Sequence, residues 1–393
     1  MTPPKTPLHP FDLMKVEARL TEEQRAMQSV VRDYLSKNVN PHIGQWFEDG
    51  QIPARELAKE LGAIGLLGMH LEGYGCAGTD AMSYGLACME LEATDSGLRS
   101  LVSVQGSLAM FAIHKYGSEE LKQQWLPKMA RGEAIGCFGL TEADFGSNPS
   151  GMKTFAKKDG GDWIINGSKM WITNGNIADV AIIWANTDEG IRGFCVPTTT
   201  KGFTANLVKH KLSLRASITS ELVFTDMRVP DSMRLPEATS LRAPLMCLAE
   251  ARFGIIFGVV GAARDCFEVS LRYAQTREQF DGPISRHQLT QSKFATMATQ
   301  LTNSMLLAYH LADLKDAHQI QPAQISMGKF NNVNAALEIA RSARSILGGA
   351  GITTEYSIFR HMSNLETVLT YEGTHEIHSL VLGEALTGIA AFR

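Results

Sequence analysis

Closely spaced cysteines are missing from this sequence. Its six cysteines, at positions 76, 88, 137, 195, 247 and 266, are scattered along 393 residues without any CxxC pair. Neither a disulfide framework nor a thiolate zinc site is therefore indicated, and a reducing compartment fits best.

Targeting and membrane features are also lacking. The first twenty residues carry Pro3, Pro4 and Pro7 and then Asp12 and Glu17, with neither an apolar signal core nor an Arg-rich presequence. No apolar run is expected to be long enough to span a bilayer. A net charge of -4 and a pI near 6.3 give no electrostatic reason to bind nucleic acid or an anionic membrane. We therefore expect a cytoplasmic protein that binds neither.

A Rossmann-type nucleotide-binding loop is not indicated either. The Gly-rich turn at residues 347–351 follows a helical segment and matches neither GxGxxG nor a P-loop. Any nucleotide cofactor would have to be held in another way.

What is present is a globular composition, 44% hydrophobic and 20% charged, in a chain long enough for two or three compact units. Helical periodicity dominates residues 1–133, short β-rich runs with turn pairs occupy 134–244, and helical periodicity returns over 245–393. We predict an α+β multidomain protein. It has an N-terminal α-helical domain, a middle β-barrel-like domain and a C-terminal four-helix bundle.

Local signals place the individual elements. Thr21 and Gln24 form a capping box that opens a helix running to Leu35. A short helix over 55–61 should end at Gly62, and the apolar segments 80–93 and 99–116 should be buried helices. We expect strands at 163–165, 180–185, 193–196 and 221–224, and later helices at 245–276, 285–317, 322–347 and from Thr374 onward.

The stretch YEGTHEIH at residues 371–378 is the most suggestive for chemistry. Thr374 is a good helix N-cap, and Glu376 would lie in the first turn, where the helix dipole favours an acid. Glu372 would then precede the helix, beside Gly373, which lets a ligand approach the backbone closely. This arrangement suits a general base.

Two other interpretations of this stretch stay open. Glu372 could be a solvated loop acid without a chemical role. Alternatively, Glu372, His375 and His378 recur every three residues and could share one side of a helix as metal ligands, although the sequence lacks HExxH.

Several motifs occur in the order that a known family shows. They are CFGLTE at 137–142, WITN at 171–174, REQF at 277–280 and YEGT at 371–374. With the helical, β and helical regions, they resemble the acyl-CoA dehydrogenase family over nearly the whole chain. Within that family the sequence is most similar to members that oxidise glutaryl-CoA, through residues 95–100, 213–217 and 387–392.

The resemblance implies FAD held without a Rossmann fold, between the β domain and the bundle, and no metal. Arg277 would reach the FAD of a neighbouring subunit, which implies a homo-oligomer, a tetramer arranged as a dimer of dimers. Without the resemblance, Trp171 could equally be a packing residue of the β domain. The implied cofactor-binding residues are Phe138, Leu140, Thr141, Ser147, Trp171, Ile172, Thr173, Arg277, Gln279, Phe280, Gln288, Ser345, Leu347, Gly348, Gly349, Thr374 and Glu376.

The family chemistry implies that Glu372 takes the α-proton of an acyl-CoA thioester while FAD accepts a hydride. Some members take this base from the bundle instead, where this sequence has Ala251, and Glu250 should point elsewhere. Arg99 would meet the terminal carboxylate of glutaryl-CoA, unless it forms an ordinary surface pair with Glu92 or Asp95. The implied substrate-binding residues are Glu92, Arg99, Ser100, Ser147, Arg252, Tyr371, Gly373 and Phe392.

The leading hypothesis is oxidation of glutaryl-CoA with decarboxylation to crotonyl-CoA, as in lysine and tryptophan degradation. An electron-transfer flavoprotein would receive the electrons. One alternative is a dehydrogenase of simple short or branched acyl-CoAs, and another is a glutaryl-CoA dehydrogenase that stops at glutaconyl-CoA. A third is a flavoprotein that binds nucleic acid or a protein partner with little turnover, which the acidic charge balance does not favour.

Overall fold

The computed structural model describes residues 9–391, and its N-terminal region is helical. Thr21 caps the first helix through the predicted capping box, because its hydroxyl accepts from the Gln24 amide and its own amide donates to the Gln24 side chain. The helices of this region are α1 (Glu22–Asn38), α2 (Asn40–Asp49), α3 (Ala54–Ala63), α4 (Ala81–Thr94), α5 (Ser96–Ser103), α6 (Phe111–Tyr116) and α7 (Glu119–Ala130).

Three details of this region differ from the sequence prediction. Gly62 does not end α3, which continues to Ala63. A Cβ at Gly62 would lie 2.5 Å from the carbonyl carbon of Arg131, so this glycine permits close packing on the end of α7. The helix expected over 99–116 is divided by a π-helical turn at Val104–Met110, and neither α2 nor α7 was predicted.

A glycine pattern that the prediction overlooked also lies here. Gly73, Gly75 and Gly78 fit the GxGxxG spacing. They connect α3 to α4, and within the described residues the first strand begins only at Gly136. The pattern therefore lacks the preceding strand that a dinucleotide-binding loop requires.

Two sheets form the middle region. One has the strand order β1-β4-β5 and the other β2-β3-β7-β6, with β1 parallel to β4. All four predicted strands are present as parts of β3, β4, β5 and β7, whereas β1, β2 and β6 were not predicted as strands. The strands are β1 (Gly136–Gly139), β2 (Phe155–Asp159), β3 (Asp162–Thr173), β4 (Val180–Ala185), β5 (Arg192–Pro197), β6 (Phe203–Leu207) and β7 (Thr219–Pro230).

The C-terminal region is helical again, with one helix more than the four expected. The extra helix, α11, follows the Gly-rich turn. Ser357 stands at its N-cap position, but the serine hydroxyl donates to Asp265 and does not cap the helix. The helices are α8 (Arg242–Thr276), α9 (Gln288–Asp316), α10 (Pro322–Leu347), α11 (Ile358–Thr370) and α12 (His375–Thr387).

Helix α8 corrects the expectation that no apolar run could span a bilayer. By length and composition alone this 35-residue helix is long and apolar enough. However, 67% of its most apolar window is buried inside the protein, against α4, α5 and α10. Its apolar character therefore fits a central core helix, and the loop between α11 and α12 contacts residues of α5, α8 and α10 at this core.

Candidate active site

The loop at residues 371–374 has an unusual backbone. Glu372 adopts a left-handed conformation with φ 53°, which is uncommon for a residue with a side chain, and Gly373 follows with φ 94°. A Cβ at Gly373 would lie 2.9 Å from Nε2 of His378, so only glycine fits. As predicted, Thr374 caps α12 by accepting from the Ile377 amide, and Glu372 lies before the helix.

Two cationic side chains, one buried and one partly buried, hold this loop. The Lys329 ammonium of α10 donates to the carbonyl oxygens of Tyr371 and Gly373, both at 2.6 Å. Arg252 of α8 donates from Nε to the carbonyl oxygen between them, that of Glu372, also at 2.6 Å. Three successive carbonyls are thus fixed by side chains of two packed helices.

The Glu372 carboxylate is suited to accept a proton. Its Oε2 atom is buried and has no hydrogen-bond partner among the described residues. Burial raises the pKa of this carboxyl, while the charges of Arg99, Lys329 and Arg252 act against the rise. A raised pKa brings a carboxylate closer in proton affinity to the weakly acidic C–H that a base must deprotonate.

Arg99 lies beside this loop and is fully buried. Its Nε donates to Oε2 of Glu92 at 2.7 Å, and its Nη2 donates to the hydroxyl of Tyr371. Glu92 is the expected partner, but a surface pair is wrong because both side chains are completely buried. Arg99 Nη1 and Glu92 Oε1 are buried without partners in the described part of the chain. The unpartnered guanidinium nitrogen can meet an anionic ligand.

The local sequence explains how Arg99 reaches this position. Asp95 caps α5 by accepting from the Gly97 amide at 2.7 Å, which places Arg99 in the first turn with Ser100 after it. On the opposite side, a Cβ at Gly258 of α8 would lie 2.1 Å from Oε2 of Glu92. That glycine makes room for the buried ion pair.

The histidines of the proposed metal alternative have other surroundings. His375 stacks on Phe330 with ring centroids 4.0 Å apart, and burial lowers the pKa of His378 to about 3, which keeps it neutral. Among residues 9–391 no group of three or more metal-ligating side chains comes together. The bundle carboxylate Glu250 is paired with Lys315 of α9 at 2.8 Å, in agreement with the expectation that it points elsewhere.

The middle region brings part of the cofactor set together. The Met170 amide donates to the Thr141 carbonyl at 2.9 Å, which joins the segment after β1 to the end of β3. A register shift in β3 between Lys169 and Ile172 accompanies φ 65° at Trp171, whose side chain is 58% exposed. The packing interpretation of Trp171 is therefore wrong. An exposed aromatic face beside Thr141 and Thr173 fits a flat ring system such as a flavin, whereas Phe138, Leu140 and Ile172 are buried and support it from the core.

A second group of expected cofactor residues lies far from the Glu372 loop. Arg277 caps the end of the 35-residue helix α8, about 37 Å along the axis from Arg252. Lys293 near the start of α9 donates to the Ser345 hydroxyl at 2.8 Å, so Gln288 and the turn with Leu347, Gly348 and Gly349 lie at this end too. Arg277, Gln279, Phe280 and Gln288 are exposed. The structure therefore divides the cofactor residues between two ends of the bundle.

The remaining predicted residues have simple positions. Ser147 is exposed in the loop after β1, and Glu376 is exposed in the first turn of α12. Phe392 lies outside the described residues. The sequence prediction missed Lys329, although the signal was available, since a lysine stands between Ile325 and Val333 on the apolar stripe of α10.

The fold consists of a helical region, a sheet region and a helical bundle. Its site combines a buried carboxylate beside cations with an exposed aromatic face. This combination is typical of flavoproteins that oxidise acyl thioesters. Sequence models of the acyl-CoA dehydrogenase N-terminal, middle and C-terminal domains match residues 21–133, 137–227 and 241–387. The chain belongs to the acyl-CoA dehydrogenase family, whose members are FAD-dependent oxidoreductases.

Individual relatives agree with this membership. The chain is 34% identical to the human mitochondrial short-chain specific acyl-CoA dehydrogenase, over 92% of this chain and 90% of that protein. It is 62% identical to a crystal structure of glutaryl-CoA dehydrogenase from Mycobacterium smegmatis, covering 98% of this chain and 100% of that one with a TM-score of 0.97. A crystal structure of a glutaryl-CoA dehydrogenase from Mycobacterium smegmatis in complex with FADH2 is 61% identical, covering 98% of this chain and 99% of that one, with a TM-score of 0.97.

Proposed function

We propose that this acyl-CoA dehydrogenase acts on glutaryl-CoA, oxidising the Cα–Cβ bond and releasing carbon dioxide to give crotonyl-CoA. The main support for the proposal is the buried Arg99. Its Nη1 atom has no partner in the described residues, and its Nη2 atom donates to Tyr371, the neighbour of Glu372. A buried guanidinium nitrogen needs an acceptor, and a terminal carboxylate supplies one. The 62% identity to a glutaryl-CoA dehydrogenase gives independent support.

The chemistry assigned to the chain's own residues is proton transfer and charge placement. Glu372 removes the α-proton through its unpartnered carboxylate oxygen, and the Lys329 and Arg252 contacts keep the loop in place. FAD, when bound, accepts the hydride from Cβ. In the decarboxylation the bond between Cγ and the carboxylate breaks, its electron pair enters the unsaturated thioester, and a proton adds at Cγ. The proton that Glu372 removed is available for that step.

The division of the cofactor residues supports an oligomer. One group includes Thr374, two residues after Glu372, and the other, around Arg277, lies about 37 Å along α8 from Arg252, which contacts the Glu372 loop. A single FAD therefore meets both groups only if the second comes from a neighbouring chain. We propose a homo-oligomer with FAD between subunits, a tetramer as a dimer of dimers, in the cytoplasm, with an electron-transfer flavoprotein as acceptor.

Arg277→Ala is expected to lower FAD retention and weaken subunit association together, because a cofactor that spans two chains links the two equilibria. Flavin content and sedimentation mass should be measured over a dilution series. Arg272→Ala is the matched control, since Arg272 is exposed near the end of α8 and its ion-pair partner among residues 9–391 is Glu268 of the same helix. Stoichiometric FAD in a monomeric Arg277 variant would remove the cross-subunit contact.

The second candidate function is oxidation of simple short acyl-CoAs, which the 34% identity to a short-chain dehydrogenase favours. One experiment distinguishes the candidates. Glutaryl-CoA and butyryl-CoA are added separately to the yellow protein, the bleaching of the flavin is followed, and the products are identified. We expect glutaryl-CoA to bleach the flavin faster and to yield crotonyl-CoA. Glutaconyl-CoA as the end product would remove the decarboxylation, and a preference for butyryl-CoA would favour the second candidate.

A further inference from the structure

Lys329 is a buried lysine that contacts the backbone of the loop carrying Glu372. It is 2% exposed and lies on α10, far from any chain end. One helical turn later, Asn332 donates to the carbonyls of Ile256 on α8 and Ser304 on α9, at 3.0 and 3.1 Å. These bonds fix the rotation of α10 in the bundle. Helix α10 therefore holds the Lys329 side chain rigidly against the loop at residues 371–374.

The contacts of Lys329 enclose the base. Its ammonium has three donors, and two of them bond the carbonyls immediately before and after Glu372, each at 2.6 Å. Glu372 is held at φ 53°, a conformation that residues with side chains rarely adopt without support. With Arg252 on the Glu372 carbonyl, the lysine forms a carbonyl clamp, defined here as Lys329, Arg252 and the carbonyls of residues 371–373.

We propose that Lys329 is a positioning residue for the catalytic base: its ammonium holds the left-handed loop that presents Glu372 and, through its charge, keeps the Glu372 carboxylate ionised. The inference rests on the proposed role of Glu372 as base. It goes beyond that role by assigning part of the base's geometry and charge state to a residue of α10.

The electrostatic part depends on all groups that face Glu372. Burial raises the pKa of Glu372, and Glu92 of α4 acts in the same direction. Arg99 of α5, Lys329 of α10 and Arg252 of α8 lower it. Lys329 does so while it is protonated, because burial lowers its own pKa to about 7. His378 of α12 is neutral, because burial lowers its pKa to about 3. Loss of the Lys329 charge should therefore raise the pKa of Glu372, so that the base is protonated at a higher pH than in the parent protein.

The test uses Lys329→Met in the FAD-loaded protein, with glutaryl-CoA as substrate. The acid limb of the pH profile of kcat/KM reports the essential base of the free enzyme. We expect this limb to move upward by about one pH unit or more, as loss of a nearby opposite charge would cause. At a pH below the limb, a one-unit shift lowers the rate about tenfold. Lys329→Arg keeps the positive charge, so its acid limb should lie at the same pH as that of the parent protein.

Lys211→Met is the matched control. Lys211 also clamps a loop, because its ammonium donates to the carbonyls of Leu214 and Ser217 at 2.8 and 2.6 Å, and burial lowers its pKa to about 8. Its removal should lower the melting temperature without moving the acid limb. If Lys329→Met proves unable to hold FAD, Lys329→Gln, whose uncharged amide group keeps two N–H donors, is measured in its place with the same expected shift.

The outcomes separate the inference from the function on which it rests. An upward shift in Lys329→Met, absent in Lys329→Arg and Lys211→Met, supports the positioning role. A parental profile in Lys329→Met, or a shift of equal size in Lys211→Met, overturns it. A parent protein whose flavin is bleached by neither glutaryl-CoA nor butyryl-CoA removes the proposed function itself.

Discussion

Replacing Glu372 with Gln is expected to lower turnover by about a hundredfold or more while FAD and acyl-CoA still bind. The change keeps the size of the side chain and removes its ability to accept the α-proton, and a positioned base contributes about a hundredfold to ten-thousandfold. Oε2 of Glu372 is buried without a partner in the described residues, so no protein hydrogen bond is lost at that atom. Steady-state rates, with flavin absorbance and thioester titration for binding, measure the effect.

Glu250→Gln is the control for this experiment. Glu250 is the bundle carboxylate nearest in sequence to the alternative base position, and it is already paired with Lys315. Its variant should lose some stability, because Lys315 loses its partner, but should retain turnover. Near-parental turnover in Glu372→Gln together with loss of turnover in Glu250→Gln would transfer the role of base to α8.

The pH dependence has a definite sign. Burial raises the pKa of Glu372, and only its ionised form can accept a proton. Activity should therefore be lost as the pH falls through this raised pKa, at a higher pH than an ordinary glutamate would cause. The acid limb should disappear from the residual activity of Glu372→Gln.

Much of the fold was predictable because its signals are local. A capping box opens α1, and short apolar runs between turn pairs define β3, β4, β5 and β7. Helix α7 was missed although the Ser118 hydroxyl caps it. Other elements were missed because their local signals are weak. Helix α11 has no side-chain cap, and the π-helical turn at Val104–Met110 interrupts an apolar segment whose composition does not change. Their boundaries depend on packing with distant parts of the chain.

The site was predictable only where a motif marks it. The stretch around Glu372 and the position of Arg99 were predicted from residue type and family resemblance. Glu92 was named as a possible partner of Arg99 only in a surface pair, whereas the structure buries both side chains. The carbonyl clamp was not predicted, because Lys329 lies 42 residues from Tyr371 in sequence and contacts it only through the fold. The separation of Arg277 from the Glu372 end likewise follows from the length of α8 and its place in the bundle, which a motif does not contain.

Substrate preference should reverse when Arg99 is replaced by Met. A charge-assisted hydrogen bond to a carboxylate contributes about 1.5–3 kcal/mol, and about 1.4 kcal/mol corresponds to tenfold. Efficiency on glutaryl-CoA should therefore fall about ten- to a few hundredfold. Butyryl-CoA ends in a methyl group at Cγ, the carbon that bears the carboxylate in glutaryl-CoA, and so offers Arg99 no partner. Its efficiency should therefore hold or rise once the pocket is filled by an uncharged side chain.

Glu92 complicates this variant, since Arg99→Met leaves a fully buried carboxylate without its partner at Nε. Removing one member of a buried pair is strongly destabilising, by about 3–5 kcal/mol. The double variant Glu92→Gln, Arg99→Met removes both charges and should recover part of the melting temperature. It should keep the reversed preference, because the carboxylate anchor is absent in both. Equal losses on the two thioesters in the double variant, with FAD content and melting temperature near the parent's, would show that Arg99 does not bind the substrate carboxylate. The site would then fit a simple short-chain acyl-CoA better than glutaryl-CoA.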